Sequence, residues 1–300
     1  MRIIFPCTAR PHLVRQKLLI EQMRKYFDID IWMPRTKQGG SLATYSIMVS
    51  VEFNNFLNKR RADAVLIRGD RMELLPLAAL CAYREIPTIH LEAGDVSGVI
   101  DNKIRHAVSQ LSDYHFPTND EARVRLIGMG CHPDRVYNYG SLDVEVAQKV
   151  RRRRVRSGKY ILTAYHPIKG EDESEVSAAL EAFSAYDVVS VVSNQDYGKQ
   201  YGSESFSPED YINLLRGASC IVGNSSSILK EASIFPVGVV NVGQRQRGRL
   251  RPRQVMDSAC KKENIMAAVS FQLGQRYEID SPYAQPDTSK RIAKKMSEIL

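Results

Sequence analysis

Short apolar runs alternate with amphipathic segments along the chain, and this alternation constrains the fold more than any other feature. It is the pattern of parallel strands joined by crossover helices, so an α/β fold is predicted. In the first half, the predicted strands lie in RIIFP (from Arg2), DIDIW (from Asp28), DAVLIR (from Asp63), IPTIHL (from Ile86), DYHFP (from Asp113) and RVYNYG (from Arg135).

The segments between these strands carry apolar residues at helical spacing. They are HLVRQKLLIEQMRKY, ELLPLAALCAYR, DNKIRHAVSQL and NDEARVRLIGMG. Asn119 is expected to cap the last of these helices, which Gly128 and Gly130 would end.

The same pattern restarts after the arginine run Arg151–Arg154. Strands are predicted in KYILTAYHP, YDVVSVVS, ASCIVG and VGVVNVG, and helices near Glu173–Phe183, Pro208–Gly217, Ser227–Ile234 and Thr288–Leu300. Two Rossmann-like domains are therefore expected, at 1–152 and 157–300, and the last helix could pack back on the first. No GxGxxG follows the first strand, so a dinucleotide cofactor is not indicated.

The composition is that of a globular protein large enough for two domains. Of 300 residues, 43% are hydrophobic and 25% are charged. No apolar run is long enough for a membrane-spanning helix, and MRIIFPCTAR reads as a strand instead of a signal peptide. The five cysteines are scattered and lack metal-ligand spacing, so a reduced, cytoplasmic protein without a metal site is predicted.

The net charge of +8 favours an anionic partner. Nucleic acid is one interpretation of the Arg151–Arg154 run, and a solvated linker is the other. We favour the linker, because no recognisable nucleic-acid-binding module accompanies the run.

Ionisable residues cluster where predicted strands end. Asp70 follows DAVLIR, Glu92 follows IPTIHL, Asp101 begins the next helix, and His166 follows KYILTAY. Ligands of parallel sheets lie beyond the carboxyl ends of the strands. Three carboxylates in one cleft would push their pKa values apart, which suits acid–base chemistry, although each could simply cap a helix.

The positions of other ionisable residues in the predicted elements also indicate roles for them. Arg105 can pair with Asp101 across one helical turn. His90 and His115, which lie inside predicted strands, are expected to be structural.

The segment IVGNSSSILKEA is a candidate phosphate site. Small residues at a helix start offer amides and hydroxyls to a phosphate, and Arg245, Arg247 and Arg249 follow nearby. An ordinary serine cap and a solvated basic loop are the alternatives.

Several longer motifs occur together and in order. They are GDR (Gly69–Arg71), HLEAGDVSGVIDNKIRHA, LSDYHF, TNDEARVRLIGMG, GSLDVE, HP (His166-Pro167), NQDYG (Asn194–Gly198), GNSSS followed by Glu231, and GQRQRGRLR. In this combination the chain resembles the UDP-N-acetylglucosamine 2-epimerases, specifically the hydrolysing branch of sialic-acid and related nonulosonate pathways. The match runs from Ala62 to Arg251 and is weaker at Thr8–Arg15.

The resemblance implies a GT-B-type fold, with two Rossmann-like domains whose parallel sheets face a central cleft. It implies catalytic roles for Asp70, Glu92, Asp101 and His166. It also implies substrate-binding or supporting roles for Arg10, Arg15, Arg71, Arg105, Asn194, Ser225, Ser226, Glu231 and Arg245. A UDP-sugar partner, a homodimer and no cofactor are expected.

The implied reaction removes the C2 proton and expels UDP to give a glycal. Water then adds with a proton returned to the other face, giving N-acetylmannosamine. A non-hydrolysing epimerase that gives UDP-N-acetylmannosamine and a nucleotide-sugar-binding protein without turnover are the alternatives. Pro34–Arg61 and Asp196–Tyr211 look shortened relative to the family, so the sugar could also be a 2,4-diacetamido-6-deoxy hexose.

Overall fold

The computed structural model describes residues 1–8, 13, 15–36, 41–192 and 202–300. They divide into two compact units, one formed by Met1–Val146 with Gln285–Leu300 and the other by Ala147–Ala284. The last helix therefore belongs to the first unit.

The first unit is built on a five-stranded parallel sheet. Its strands are β1 (Arg2–Pro6), β2 (Asp28–Trp32), β3 (Ala64–Arg68), β4 (Thr88–Leu91) and β5 (Tyr114–Phe116), in the order β2-β1-β3-β4-β5. Its helices are α1 (Lys17–Met23), α2 (Leu42–Leu57), α3 (Leu74–Tyr83), α4 (Asp101–Gln110), α5 (Asp120–Gly128), α6 (Leu142–Lys149), which runs across the boundary, and α10 (Thr288–Ile299).

Helices cover both faces of this sheet. Alternate residues of β1 point to opposite faces, and both sets are apolar and buried. Ile3 and Phe5 pack in one core with residues of α1 and α10, including Met23 and Met296. Ile4 packs in the other core with residues of α2, α3 and α4. Burial on both faces explains why the strands read as continuous apolar runs.

Local sequence determines where several helices begin. The Asn119 side chain accepts a hydrogen bond of 2.9 Å from the Ala122 amide, so Asn119 caps α5 as the sequence predicted. Acidic Asp120 and Glu121 follow in the first turn, where they complement the helix dipole. Ser41 caps α2 in the same way through the Thr44 amide, at 3.1 Å.

The second unit also has a five-stranded parallel sheet. Its strands are β6 (Tyr160–Ala164), β7 (Asp187–Ser190), β8 (Cys220–Gly223), β9 (Val239–Val242) and β10 (Val255–Ser258), in the order β10-β9-β8-β6-β7. Its own helices are α7 (Ser174–Leu180), α8 (Pro208–Gly217) and α9 (Lys262–Gln272). Residues of α7 and α9 pack with β6, β8 and β9 in one core.

Two predicted elements are wrong. RVYNYG is not a strand, because a 3₁₀ turn at Pro133–Arg135 leaves Val136 forming only an isolated bridge with His115. The helix predicted at Ser227–Ile234 is replaced by two 3₁₀ turns, Ser226–Ile228 and Glu231–Ile234. Serine side chains compete for backbone groups, and Ser225 Oγ accepts from the Ser227 amide at 3.4 Å.

Other elements were not predicted. Helix α2 has 16 residues and lies inside the region that looked shortened. Helices α6 and α9 were also missed, as was β10, whose partly exposed residues form no apolar run. Within the described ranges, no helix is long and apolar enough to cross a membrane, and no His, Cys, Asp and Glu side chains group as a metal site would require.

The attachment of α10 depends on a buried carboxylate. Glu145 is 3% exposed and accepts from the Ser289 amide at 2.8 Å and from the Ser289 hydroxyl at 3.0 Å. The Thr288 hydroxyl donates to the Tyr139 carbonyl at 2.7 Å. The first turn of α10 is thus bonded to residues that are distant in sequence.

We expect Glu145→Ala to lower the free energy of unfolding by about 1–3 kcal/mol, because it leaves a buried amide without its acceptor. Urea denaturation followed by circular dichroism measures the change. Glu298→Ala, which removes an exposed partner of Lys295 on the same helix, is the matched control and should not shift the midpoint. Equal stability of the Glu145 variant and the wild type would contradict this role.

Candidate active site

Asp70 lies at the carboxyl edge of the first sheet, two residues beyond β3. Gly69 turns the chain there with a φ of 81°, and its amide donates to the Leu91 carbonyl at 3.1 Å. The Asp70 carboxylate accepts a hydrogen bond from Arg105 of α4, whose side chain is buried. The fold thus brings together two predicted site residues that are 35 positions apart.

Arg105 also holds the loop that follows β4. Its Nη1 donates to the Asp95 carbonyl at 3.0 Å. Asp101 begins α4 and lies in the first turn, where a carboxylate complements the helix dipole. One helix therefore carries Asp101 and, a turn later, the arginine that binds Asp70.

Glu92 directly follows β4 and has a φ of 60°. A non-glycine residue in this left-handed region costs on the order of 1–3 kcal/mol, so other contacts must hold it there. The Glu92 amide donates to the Phe116 carbonyl at 2.9 Å, and the carboxylate binds Arg68 at 2.6 Å. Such outliers concentrate at functional sites.

Arg68 was missed in the sequence, although an arginine at the end of an otherwise apolar strand was a usable signal. It is 6% exposed and also binds Asp143 at 2.7 Å. Burial lowers the pKa of Arg68, but the Asp143 and Glu92 carboxylates raise it above its ordinary value overall, so the guanidinium stays charged. Arg15, a predicted substrate-binding residue, lies 3.8 Å from Asp143.

His90 is fully buried, as expected of a structural histidine. Its Nε2 lies 2.8 Å from the Gly69 carbonyl and its Nδ1 lies 3.0 Å from the Ser109 hydroxyl. A carbonyl only accepts, so Nε2 carries the proton. Burial lowers the pKa of His90 to about 4, which keeps the ring uncharged at neutral pH. His90 thus supports the turn that presents Asp70.

His115 is also structural. It is 3% exposed, and its Nε2 lies 2.8 Å from the Ser109 carbonyl.

Arg71, which was predicted to bind substrate, binds the buried carboxylate of Glu73 at the start of α3. Arg10 and Asn194, which were predicted to bind substrate, lie outside the described residues.

In the second unit, His166 lies two residues beyond β6 and is clamped by Asn224. The His166 amide donates to Asn224 Oδ1 at 2.7 Å, and Asn224 Nδ2 donates to the His166 carbonyl at 2.9 Å. Asn224 is fully buried. Because β6 and β8 are adjacent, their carboxyl ends bring the HP and GNSSS motifs together.

The loop after β9, which contains Arg245 and Gln246, binds the same asparagine. Arg245 Nη1 and Gln246 Nε2 donate to the Asn224 carbonyl at 3.1 and 2.7 Å. Glu171 adds a second connection, accepting from Tyr165 Oη at 3.0 Å and from the Gln244 amide at 2.7 Å. Neither Asn224 nor Glu171 was predicted as a site residue, because each acts through contacts that appear only in the fold.

His166 is uncharged at neutral pH. Burial, and next the cation of Arg245, lowers its pKa to about 3. Its Nδ1 is buried and has no hydrogen-bond partner within the part of the chain that the structure describes. An approaching anion would favour protonation of this ring.

The serines and Glu231 lie at the two 3₁₀ turns that follow β8. The Ser225 hydroxyl lies 2.9 Å from that of Ser227, Ser226 begins the first 3₁₀ turn, and Glu231 begins the second and is 3% exposed. The predicted helix start is therefore replaced by turns that are too short to offer a helix dipole to a phosphate. The hydroxyls and Arg245 remain as possible donors to a phosphate.

The site residues thus form two sets, one in each unit. In the first, Asp70 binds Arg105 of α4, Glu92 binds Arg68 at the end of β3, and Asp101 begins α4. In the second, Asn224 bonds the His166 backbone and Arg245, and Ser225 directly follows it in the chain.

Known proteins with similar sequences carry epimerase names. A protein of Legionella pneumophila named UDP-N,N'-diacetylbacillosamine 2-epimerase (hydrolyzing) is 29% identical over 270 residues, covering 80% of this chain and 72% of that protein. A GDP/UDP-N,N'-diacetylbacillosamine 2-epimerase (hydrolyzing) of Campylobacter jejuni is 27% identical over 241 residues, covering 69% and 62%. A UDP-N-acetylglucosamine 2-epimerase of Neisseria meningitidis is 29% identical over 256 residues, covering 75% and 68%.

Solved structures show the same fold. The UDP-GlcNAc 2-epimerase of Neisseria meningitidis, bound to UDP-GlcNAc, has a TM-score of 0.83 at 16% identity, covering 99% of this chain and 100% of that one. The Methanocaldococcus jannaschii enzyme, in complex with UDP-GlcNAc and UDP, has a TM-score of 0.79 at 17% identity, with the same coverage. The predicted α/β fold of GT-B type is confirmed.

The family described as UDP-N-acetylglucosamine 2-epimerase matches residues 12–297, which is nearly the whole chain. The match includes the strand-end motifs that carry Asp70, Glu92, His166 and Arg245. The chain therefore belongs to the UDP-N-acetylglucosamine 2-epimerase family.

Proposed function

We propose that the protein is a hydrolysing 2-epimerase that converts a UDP-acetamido sugar to UDP and the free C2 epimer. The observation that carries the proposal is the paired arrangement of Asp70 with Arg105 and of Glu92 with Arg68. A carboxylate beside a guanidinium is held as an anion, and an anion can accept the weakly acidic C2 proton. Two relatives named as hydrolysing are in accord with this proposal.

The first step would remove the C2 proton to a carboxylate of Asp70, Glu92 or Asp101 while the C1–oxygen bond breaks. The electron pair of the C2–H bond forms the C1–C2 double bond of the glycal, and UDP leaves with the pair of the broken bond. Water then adds its oxygen to C1, and C2 receives a proton on the opposite face. The atoms balance to one free sugar and UDP.

The second unit would bind the leaving group. Arg245 offers a planar fork to the diphosphate, and Ser225 and Ser226 offer hydroxyls. The arriving anion would favour protonation of His166, because negative charge raises the pKa of a histidine. Glu231 is the proposed ribose contact. Positive charge at the diphosphate stabilises the departing UDP.

Two acetamido sugars are candidate substrates. The names of the relatives mention UDP-N,N'-diacetylbacillosamine and UDP-N-acetylglucosamine, and both sugars carry an acetamido group at C2. The homodimeric state, the cytoplasmic location and the roles of Arg10 and Asn194 remain predictions of the sequence.

Proton NMR in heavy water tests the reaction. Incubation with each UDP-sugar should release UDP and a free epimer that carries deuterium at C2, because the returned proton comes from solvent. A UDP-linked epimer without release of UDP would assign the non-hydrolysing reaction. An unchanged spectrum with both substrates would contradict the proposed function.

Substitution of the acid–base residues should separate turnover from binding. We expect Asp70→Asn, Glu92→Gln and Asp101→Asn each to lower kcat by about 10²–10⁴-fold, while the Kd for UDP changes little. UDP release and isothermal titration calorimetry measure the two quantities. Glu121→Gln, an exposed acid in the first turn of α5, is the control and should leave both unchanged. Wild-type turnover in all three variants would rule out these roles.

Asn224→Asp should weaken UDP binding by about tenfold or more. It replaces the donor to the His166 carbonyl with a carboxylate oxygen, which costs about 1–3 kcal/mol. Asn213→Asp is a matched control, because Asn213 is also buried in the second unit but bonds the Arg151 carbonyl at 3.1 Å. Both variants should lose stability, but only Asn224→Asp should raise the Kd measured by calorimetry. Equal Kd values would show that the clamp does not position the UDP site.

A further inference from the structure

We infer that Arg68 is a positioning residue, which holds Glu92 in its reactive place and is itself held by Asp143. The inference rests on the proposed function for its kinetic consequences. Its geometric part rests only on contacts within the first unit. Neither Arg68 nor Asp143 was among the predicted site residues.

The contacts of Arg68 are directional. Its Nη2 and Nε donate to the same oxygen of Glu92, Oε1, at 2.6 and 3.1 Å. Its Nη2 also donates to Asp143 Oδ1 at 2.7 Å. Two donors converging on one oxygen restrict the Glu92 side chain more than a single contact would.

The backbone of Glu92 is strained, so contacts that stabilise this conformation are needed. A residue with a φ of 60° stays there only when surrounding contacts over-determine it. In β3 and β4, Arg68 is paired with Leu91, the residue before Glu92, so the guanidinium lies beside the strained residue. The strand register therefore places the restraint where the strain is.

Asp143 fixes the guanidinium from the other side. It lies in the first turn of α6, is 6% exposed, and has Arg15 at 3.8 Å as a second cation. The charges alternate along Arg15, Asp143, Arg68 and Glu92, so the buried guanidinium is balanced. Loss of Arg68 would remove both donors that hold the Glu92 carboxylate and so release it. In the single variant, repulsion from Asp143 would add to its displacement, because Glu92 is the more exposed of the two.

A kinetic double-mutant cycle tests whether Arg68 acts through Glu92. Arg68→Met should lower kcat about 10–100-fold with a smaller change in KM, because a displacement of about 1 Å costs this much. Arg68→Lys keeps the positive charge but lacks the planar guanidinium. Its kcat should lie between those of the wild type and Arg68→Met. In a Glu92→Gln background, Arg68→Met should cause no further loss of kcat. Independent, multiplying losses would overturn the inference.

Two further variants separate positioning from general damage. Arg291→Met removes an arginine that stacks on Tyr139 in the first unit, and it should leave kcat unchanged. Arg68→Met/Asp143→Asn removes the second carboxylate as well, so it provides a folded protein if the single variant is unstable. It should still lose kcat, and wild-type kcat in a folded double variant would overturn the inference.

Crystal structures decide the question independently of activity. In the Arg68→Met variant, or in the double variant, we expect the Glu92 carboxylate to move by more than about 1 Å from its place in the wild type. An unmoved carboxylate would overturn the positioning role. If the wild type releases UDP from neither sugar, the proposed function is wrong, and this comparison alone still decides the role of Arg68.

Discussion

Two contacts, each between a buried guanidinium and a carboxylate, are the interactions on which the candidate site of the first unit depends. Arg105 and Arg68 come from a helix and a strand end, and each reaches an acid that is distant in sequence. A buried arginine destabilises the fold unless its charge is balanced, and the same is true of a buried carboxylate. Removing either partner of these pairs would therefore leave an unbalanced charge. Stability and positioning of the acids therefore share one set of contacts.

In the second unit, a neutral residue holds the loops that carry the candidate site residues. Asn224 offers both a donor and an acceptor to the His166 backbone, and its own carbonyl receives Arg245 and Gln246. An aspartate has no donor for the His166 carbonyl, and an alanine has neither group. Clamping the loops through neutral groups adds no negative charge to a place proposed to receive a diphosphate.

The alternation of apolar and amphipathic segments was sufficient to predict most strands, because strands of a covered parallel sheet are apolar on both faces. It failed where that reason does not apply. Strand β10 is only partly buried and shows no apolar run, and RVYNYG has suitable residues but follows a 3₁₀ turn. After β8 the chain forms 3₁₀ turns where a helix was predicted, and the Ser225 side chain accepts from the Ser227 amide at the first of them.

The sequence by itself determined the α/β class and the family, and it predicted the candidate site residues. Each of these follows from local pattern or from motifs whose order is preserved along the chain. Only the tertiary structure decided that Arg105 binds Asp70, that Arg68 binds Glu92 and Asp143, and that Asn224 joins His166 to Arg245. Strand order decides which strand ends become neighbours, and these contacts form between residues that the sequence keeps apart.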